Sequence, residues 1–335
     1  MRILRNGEVD CHEYPVAPRP TGHVRVVSVR TAISPGTELT YLGPQATNPY
    51  LRRRWDPRLR IFVEGDSAVE YPMVFGYRAA GIVVESDSAS VPQGARVWGK
   101  WRHTEFTTLP IDDARAQLLP DELSVDDAVD LAQMLPIALN AVAFAEGSHY
   151  GAPAVVFGCG PIGLLTAQVA RAAGADPVYA VDRLERRLDI ARWLGLEALA
   201  TASDVAAALK RRHGADGIPV AFECTGSAAA LHEAARTVRR QGRVVALGFY
   251  QGDAAGLRLG EEFHHNGIEI RSGQIGNLHP SYDAKSIRTR AVELARAGKV
   301  VLGRLPRLVL PVERAAEGFA ALQRPEDVLQ VAFAY

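Results

Sequence analysis

The sequence predicts an α/β protein made of a β-rich, barrel-like first domain and a doubly wound parallel sheet, and three observations carry that prediction. Short apolar runs broken by turn residues fill positions 1–147. A strand, a glycine turn, a helix and a second strand follow within 154–182. Beyond Asp182, apolar strands and helix-period segments alternate as far as Ile270. Strands separated by helices pair in parallel, because each crossover packs back on the sheet. Domains are therefore expected at 1–147, 148–276 and 277–335, the last returning to the first domain.

In the first domain, residues 23–29 alternate as a half-buried strand does, 73–75 and 81–84 bracket a glycine-flanked turn, and 94–98 restart a strand. Residues 124–145 switch to helical periodicity, with Ser124 or Asp121 as the cap. After Asp182, helices are expected over 183–195, 205–212 and a stretch ending at Arg240, with strands at 219–223, 242–248 and 268–270. A long helix at 284–297, a strand at 308–311, a helix ending at Leu322 and a closing strand at 328–334 complete the chain. No internal repeat is present.

Each residue type in the turn has a physical job. Gly158 permits the tight bend, Gly160 has no side chain to hold a pyrophosphate off the backbone, and Gly163 lets the helix pack closely on the strand. Pro161 and Ile162 open the helix, where a missing N–H costs nothing and the free N–H groups face phosphates. Asp182, nineteen positions past Gly163, can accept both hydroxyls of a ribose and repel a 2′-phosphate, which favours NAD over NADP. Arg183, Arg186 and Arg187 count the other way, since guanidinium groups after the acid can receive a phosphate. A glycine-rich turn in some other α/β protein is the competing account, and strand, helix and spaced acid together weaken it.

At 335 residues the chain is long enough for two domains, and 47% hydrophobic with 23% charged residues is a globular composition. Zero formal net charge offers no general attraction to nucleic acid or to an anionic membrane. No amino-terminal stretch reads as a signal peptide, and the longest apolar stretch is too broken by glycine and proline to span a bilayer. Cys11, Cys159 and Cys224 are scattered without CxxC spacing, as in a reducing cytoplasm.

Six segments occur in order: Ser34-Pro35-Gly36-Thr37-Glu38, Gly76-Tyr77-Arg78-Ala79-Ala80-Gly81, the turn from Gly158 to Gly163, Asp182 with Arg187 five positions on, Glu223-Cys224-Thr225-Gly226, and Ser272-Gly273-Gln274-Ile275-Gly276. With them the chain resembles the medium-chain dehydrogenase/reductase superfamily over essentially its whole length. The resemblance implies a GroES-like β-barrel substrate domain plus a Rossmann cofactor domain, NAD as the cofactor, and a homodimer acting on a small molecule in the cytoplasm. It further implies cofactor contacts at Thr225, Gly226, Leu247, Gly248, Phe249 and Gln274, all at carboxyl ends of strands, where such sheets bind their ligands.

Zinc-dependent alcohol dehydrogenases of this superfamily carry Cys-Gly-Ser/Thr-Asp and Gly-His-Glu segments, and their zinc lowers the pKa of a bound alcohol. Here Pro35 stands at the cysteine position, Tyr77 at the histidine position and Gln133 near the third ligand, and the four-cysteine zinc lobe is missing. Zinc takes thiolate, imidazole or carboxylate, and proline supplies none. No catalytic zinc is expected. The chain looks closest to zinc-lacking members with a Gly-Thr-Glu segment, among them bacteriochlorophyllide dehydrogenase-like proteins and oxidoreductases of specialised metabolism. His264 and His265 would point oppositely on a strand, and Cys11-His12 has no sequence partner nearby, so no other metal site is expected.

Without zinc, a side chain must move the proton that accompanies hydride transfer. Thr37 matches the position of the relay hydroxyl in zinc alcohol dehydrogenases, Glu38 is a base or an orienting carboxylate, Tyr77 can donate to a developing alkoxide, and Tyr41 lies one turn on. Capping and packing are the structural alternatives. His103 has a proton carrier's chemistry, but its segment reads as strand text, which favours packing. Asn140 either binds substrate or solvates a helix end. The insert 46–71 holds five arginines in nine positions, Arg52, Arg53, Arg54, Arg58 and Arg60, a match for phosphate or carboxylate with Arg52 and Arg54 as substrate contacts. A solvated or subunit-facing loop is its simpler account.

The leading expectation is a zinc-independent, NAD-dependent oxidoreductase interconverting a secondary alcohol and a ketone on a polyhydroxylated or cyclic small molecule. Three alternatives stay open: a zinc-free enoyl- or quinone-type C=C reductase, a redox-neutral epimerase or eliminase that uses NAD transiently, and a module that only retains NAD.

Overall fold

A computed structural model describes residues 1–42, 47–65, 67, 69–202 and 204–335. It divides into two compact units, Met1–Gln133 with Pro306–Tyr335, and Met134–Leu305.

The first unit is organised on the ten-residue strand His23–Ala32, which pairs antiparallel with Ala79–Glu85, Phe106–Pro110 and Val331–Ala334. Arg96–Gly99 extends the sheet on one side, and Leu308–Pro311 extends it in parallel on the other. Alternation in the long strand is not strict. Val24 and Val26 are buried as the pattern predicts, but so is Arg25, where the register against Ala79–Glu85 shifts. A buried guanidinium needs partners, and Arg25 donates to Glu85 at 2.8 Å and to the Ala17 carbonyl at 2.7 Å. Val24, Val83, Val97 and Trp101 form one core, and Ile3, Ile33, Phe319, Val331 and Phe333 form another. Residues 306–335 thereby complete a sheet begun near the amino terminus.

Two stretches differ from the sequence reading. The arginine-rich insert forms a hairpin, Arg53–Asp56 against Ile61–Glu64, instead of a loop. The Asp56 carboxylate holds the turn by accepting from the backbone N–H groups of Arg58 and Leu59 at 2.8 and 2.9 Å. Trp55 and Phe62 meet across the strands with ring centroids 5.2 Å apart, the kind of pair that stabilises a hairpin. Ala46, Asp66 and Ala68 of the insert lie outside the described residues. The helical stretch 124–145 is two helices, Val125–Leu131 and Met134–Ala143. Pro136 explains the break: it lacks an N–H and its ring opposes the carbonyl four residues back, so it sits in the first turn of a new helix. Ser124 caps the first helix with a capping box to Asp127.

The second unit holds a six-stranded sheet in the order Glu197–Ala200, Val178–Asp182, Ala154–Phe157, Val220–Glu223, Arg243–Ala246, Glu269–Ser272, every pairing parallel. The central strand is apolar on both faces and fully buried, as a strand covered by helices on both sides must be. Strand order reverses at Ala154–Phe157, so the carboxyl end of that strand opens at a topological switch point. Glu197–Ala200, not anticipated from its Glu-Ala-Leu-Ala text, is an edge strand made by pairing with Val178–Asp182. The unit boundaries fall at 133/134 and 305/306 instead of 147/148 and 276/277. Met134–Ala143 packs on the turn's helix, Pro161–Ala172, and Ala284–Arg296 packs on Met134–Ala143, so both helices belong to the parallel-sheet unit. Among the described residues, no helix is long and apolar enough to cross a membrane.

Candidate functional site

In the second unit the glycine turn closes at the switch point. Gly158 has φ +94°, a region that favours glycine, and a Cβ there would meet Thr225 Cγ2 at 2.6 Å. A Cβ on Gly163 would lie 1.7 Å from the Gly158 carbonyl oxygen, so the helix is in backbone contact with the turn. Around Gly160 the nearest atom to a built Cβ is Arg187 Nη1 at 4.0 Å. That is a cradle which a side chain would fill and which leaves the N–H groups of the helix start open to an anion. Pro161 is the first helical residue, with Ile162 next to it.

Asp182 is only 6% exposed. One of its carboxylate oxygens accepts from Cys159 N at 2.7 Å and the other from Leu184 N at 2.9 Å, which sets the carboxylate plane and leaves lone pairs on both oxygens for hydroxyl donors. Arg187 Nη1 stands 3.9 Å from the same carboxylate, and Arg183 is exposed. The turn from Glu223 to Gly226 is tied from within: Glu223, fully buried, accepts from Thr225 N at 2.6 Å, Gly226 N at 3.1 Å, and the hydroxyls of Thr225 and Tyr250. Glu223 and Tyr250 thus position Thr225 and Gly226, a role the sequence reading missed. A Cβ on Gly248 would meet Gly226 N at 2.1 Å, so Leu247, Gly248 and the exposed Phe249 follow the same edge. Gln274 Oε1 accepts from Gly276 N at 2.5 Å, which shapes its own turn.

Asn140 is not available to substrate. Its Nδ2 donates to the carbonyls of Gly273, Gln274 and Asn277 at 3.3 to 3.4 Å, and its Oδ1 accepts from His279 N at 2.8 Å. It fastens residues 273–279 to the helix Met134–Ala143.

In the first unit five residue types, Ser, Thr, Tyr, Glu and His, assemble around the short helix Pro35–Glu38. The phenol of Tyr77 lies beside the hydroxyls of Ser34 and Thr37, and its pKa is pushed up by burial first and then by the neighbouring Glu38. Glu38 is fully buried, with Oε1 accepting from Ser34 N at 2.8 Å and Oε2 3.0 Å from His103 Nε2. His103 Nδ1 faces Thr31 Oγ1 at 2.7 Å, and Thr31 meets the Tyr335 hydroxyl at 3.1 Å. His103 is buried, as strand packing requires, and is also joined to the candidate acid. Its link to Glu38 spans 65 positions of sequence, which no local pattern could reveal. Tyr41 packs its ring 5.1 Å from Phe75 and lies beside Asn48, its phenol pushed up by burial. Arg52 and Arg54 are exposed on the hairpin.

Next to Tyr77, Arg78 is fully buried. It donates to the Ile33 carbonyl at 2.7 Å, to Gln330 Oε1 at 2.9 Å and to Asp130. Arg307 donates to the other Asp130 oxygen at 2.8 Å. The positions matched to zinc ligands offer a proline, the Tyr77 phenol and Gln133; none is a thiolate, imidazole or carboxylate. Among the described residues, one other cluster has metal-ligand chemistry, His232 with Glu261 and Glu262. Arg258 and Arg236 already compensate it, with Arg258 Nη2 2.9 Å from His232 Nε2 and Arg236 Nε 3.4 Å from Glu262. His264 and His265 lie on the short helix Glu262–Asn266, not on a strand.

A parallel sheet with a glycine turn at its switch point, in a chain whose two ends build a separate, mostly antiparallel sheet, defines a two-unit dinucleotide-binding protein. Residues 161–289 match the family described as "Zinc-binding dehydrogenase". The chain is 30% identical over 225 residues to (R,R)-butanediol dehydrogenase of Bacillus subtilis, covering 66% of this chain and 61% of that relative. It is 28% identical over 304 residues to a putative D-xylulose reductase of Rhizobium meliloti, covering 79% and 83%. An alcohol dehydrogenase from Thermus sp. ATN1 shares the fold over 100% of both chains, with TM-score 0.77 and 19% identity. The chain spans about three fifths of the butanediol dehydrogenase's length, residues 161–289 carry the dehydrogenase family match, and the fold as a whole is that of alcohol dehydrogenases with a GroES-like and a Rossmann domain.

Proposed function

We propose that the protein is a zinc-independent, NAD-dependent oxidoreductase interconverting a secondary alcohol and a ketone on a polyhydroxylated or cyclic small molecule. The observation that carries the reading is the Ser34, Thr37 and Tyr77 hydroxyls gathered beside buried Glu38, with Tyr77 at a position where zinc enzymes hold a metal ligand and Thr37 at that of their relay hydroxyl. The names of the relatives, a butanediol dehydrogenase and a xylulose reductase, make vicinal diols and polyols the first substrates to test.

The Gly160 cradle seats the pyrophosphate, and Asp182, already oriented by two backbone N–H groups, takes the adenosine ribose hydroxyls. Bound NAD supplies the hydride acceptor or donor at nicotinamide C4. The chain's own residues handle the proton. Tyr77 stays protonated at neutral pH because burial and the Glu38 carboxylate both disfavour its phenolate. Its phenol proton is given to the ketone oxygen during reduction, and the Ser34 and Thr37 hydroxyls relay a replacement proton from solvent, each passing one on as it receives another. His103 holds Glu38 in place for that task.

The test is NADH production from a diol and polyol panel by chelator-treated protein whose metal content is measured, with Tyr77→Phe alongside. Turnover without stoichiometric metal and a Tyr77→Phe loss of about 10²–10⁴-fold in kcat are expected. A strict metal requirement, or a Tyr77→Phe enzyme as fast as wild type, overturns the reading.

A further inference from the structure

In the first unit the arginine-rich hairpin, Arg53–Asp56 against Ile61–Glu64, brings exposed apolar and basic side chains together. Trp55 is 38% exposed, Leu59 65%, Ile61 50% and Phe62 36%. Four of the thirteen large apolar side chains exposed among the described residues thus fall within positions 55–62. Such side chains are ordinary when scattered over a surface and informative when gathered. Trp55 packs on Phe62 across the strands, and Tyr50 stands against Phe62 with ring centroids 5.2 Å apart, so the rings form one cluster at the surface.

Arg52, Arg53, Arg54, Arg58 and Arg60 are all exposed around that cluster. The two carboxylates of the hairpin are already engaged: Asp56 accepts from the N–H groups of the turn, and Glu64 pairs with Arg53 at 3.0 Å. Arg52, Arg54, Arg58 and Arg60 have no ion-pair partner among the described residues. A chain of zero formal net charge therefore carries a local positive surplus on an apolar projection. Nucleic acid would match the guanidinium groups but offers no hydrocarbon to Leu59 and Ile61. A second copy docking through this same patch would set arginine against arginine. An anionic bilayer surface satisfies both features, because lipid phosphates take the guanidinium groups and the interface favours aromatic and aliphatic side chains. The hairpin is a sheet of two strands only. Its outer edges keep backbone groups unpaired, which is costly in hydrocarbon, so the hairpin would rest at headgroup depth.

We propose that this hairpin docks the protein on an anionic lipid surface, with Leu59, Ile61 and the Trp55–Phe62 pair among the headgroups and the arginines on lipid phosphates. The proposal is independent of the reaction proposed above. It is tested by sedimenting the full chain with vesicles of equal parts phosphatidylglycerol and phosphatidylcholine, and with vesicles of phosphatidylcholine alone. Binding to the mixed vesicles should be at least about tenfold tighter than to the neutral ones and should weaken as salt is raised. The double variant Arg58→Gln, Arg60→Gln should lose about 25-fold in that binding, about fivefold for each charge. Leu59→Ser, a change at a side chain 65% exposed, should lose about tenfold. All three positions are exposed, so both proteins should melt like wild type, and each tests the proposal without the other. Equal binding to the two vesicle types, mixed-vesicle binding unchanged in both variants, or capture by duplex DNA without binding to mixed vesicles overturns the proposal.

Discussion

Two glycines three residues apart, Gly160 and Gly163, separate nucleotide binding from folding, and alanine at each tells which role it has. At Gly163 a methyl would sit 1.7 Å from the Gly158 carbonyl oxygen, against a practical minimum of 3.0 Å. The helix start must therefore retreat by about 1.3 Å (3.0 − 1.7), and its neighbour cannot yield because it is backbone. Overpacking of this kind costs about 1–3 kcal/mol, a fall in Tm of about 2–4 °C for each kcal/mol. At Gly160 the same methyl meets only the Arg187 guanidinium at 4.0 Å, and φ is −73°, which alanine adopts freely. Reduced unfolded-state entropy and a poorer helix cap roughly offset each other, each being worth under about 1 kcal/mol. The Gly160→Ala protein should hence melt like wild type. Its methyl occupies the cradle, however, and removing one charge-assisted contact to phosphate, worth about 1.5–3 kcal/mol, weakens NAD about 10- to 150-fold. Scanning calorimetry and NAD titration of both variants make the comparison. Gly160→Ala binding NAD as tightly as wild type refutes the assignment of this turn to pyrophosphate, and Gly163→Ala retaining full stability refutes the packing argument.

Asp182→Asn leaves one of the Cys159 and Leu184 N–H groups facing an amide donor; NAD should bind at least about tenfold more weakly, with less discrimination against NADP, as titration of both nucleotides will show. Asp130→Asn leaves Arg78 and Arg307 buried and undercompensated, and denaturant unfolding should register a loss of about 3–5 kcal/mol. Burial, followed by the nearby Asp182 charge, pushes the Cys159 thiol up to about 12 against the opposing pull of Arg187, and burial raises Cys224 as well. In the folded protein a disulfide reagent should modify exposed Cys11 alone among the three thiols, the other two only after unfolding. Because the folded Cys159 pKa is raised, its contribution to stability is present below the ordinary thiol value of 9.0 and is lost as pH rises toward about 12. Urea midpoints measured across that window should fall.

The sequence by itself determined the parallel-sheet unit. Apolar runs such as Val155-Val156-Phe157, the glycine at each turn position and Asp182 are local signals, because backbone conformation, helix entry and strand length depend on neighbours in the chain. Tyr77, Thr37 and Glu38 were legible as candidates for the same reason: they occupy motif positions. Tertiary structure decided what those side chains do. Glu38 reads in sequence as a base or an orienting carboxylate; the structure buries it against a histidine 65 positions away, and its charge adds to the burial that raises the Tyr77 pKa. Asn140 reads as either a substrate ligand or a group solvating a helix end, and backbone carbonyls from 273–277 consume its amide. Glu197–Ala200 has almost no strand propensity and exists because Val178–Asp182 offers an open edge. Hydrogen bonds and burial join residues far apart in the chain, and no pattern along it encodes which distant group will supply the missing partner.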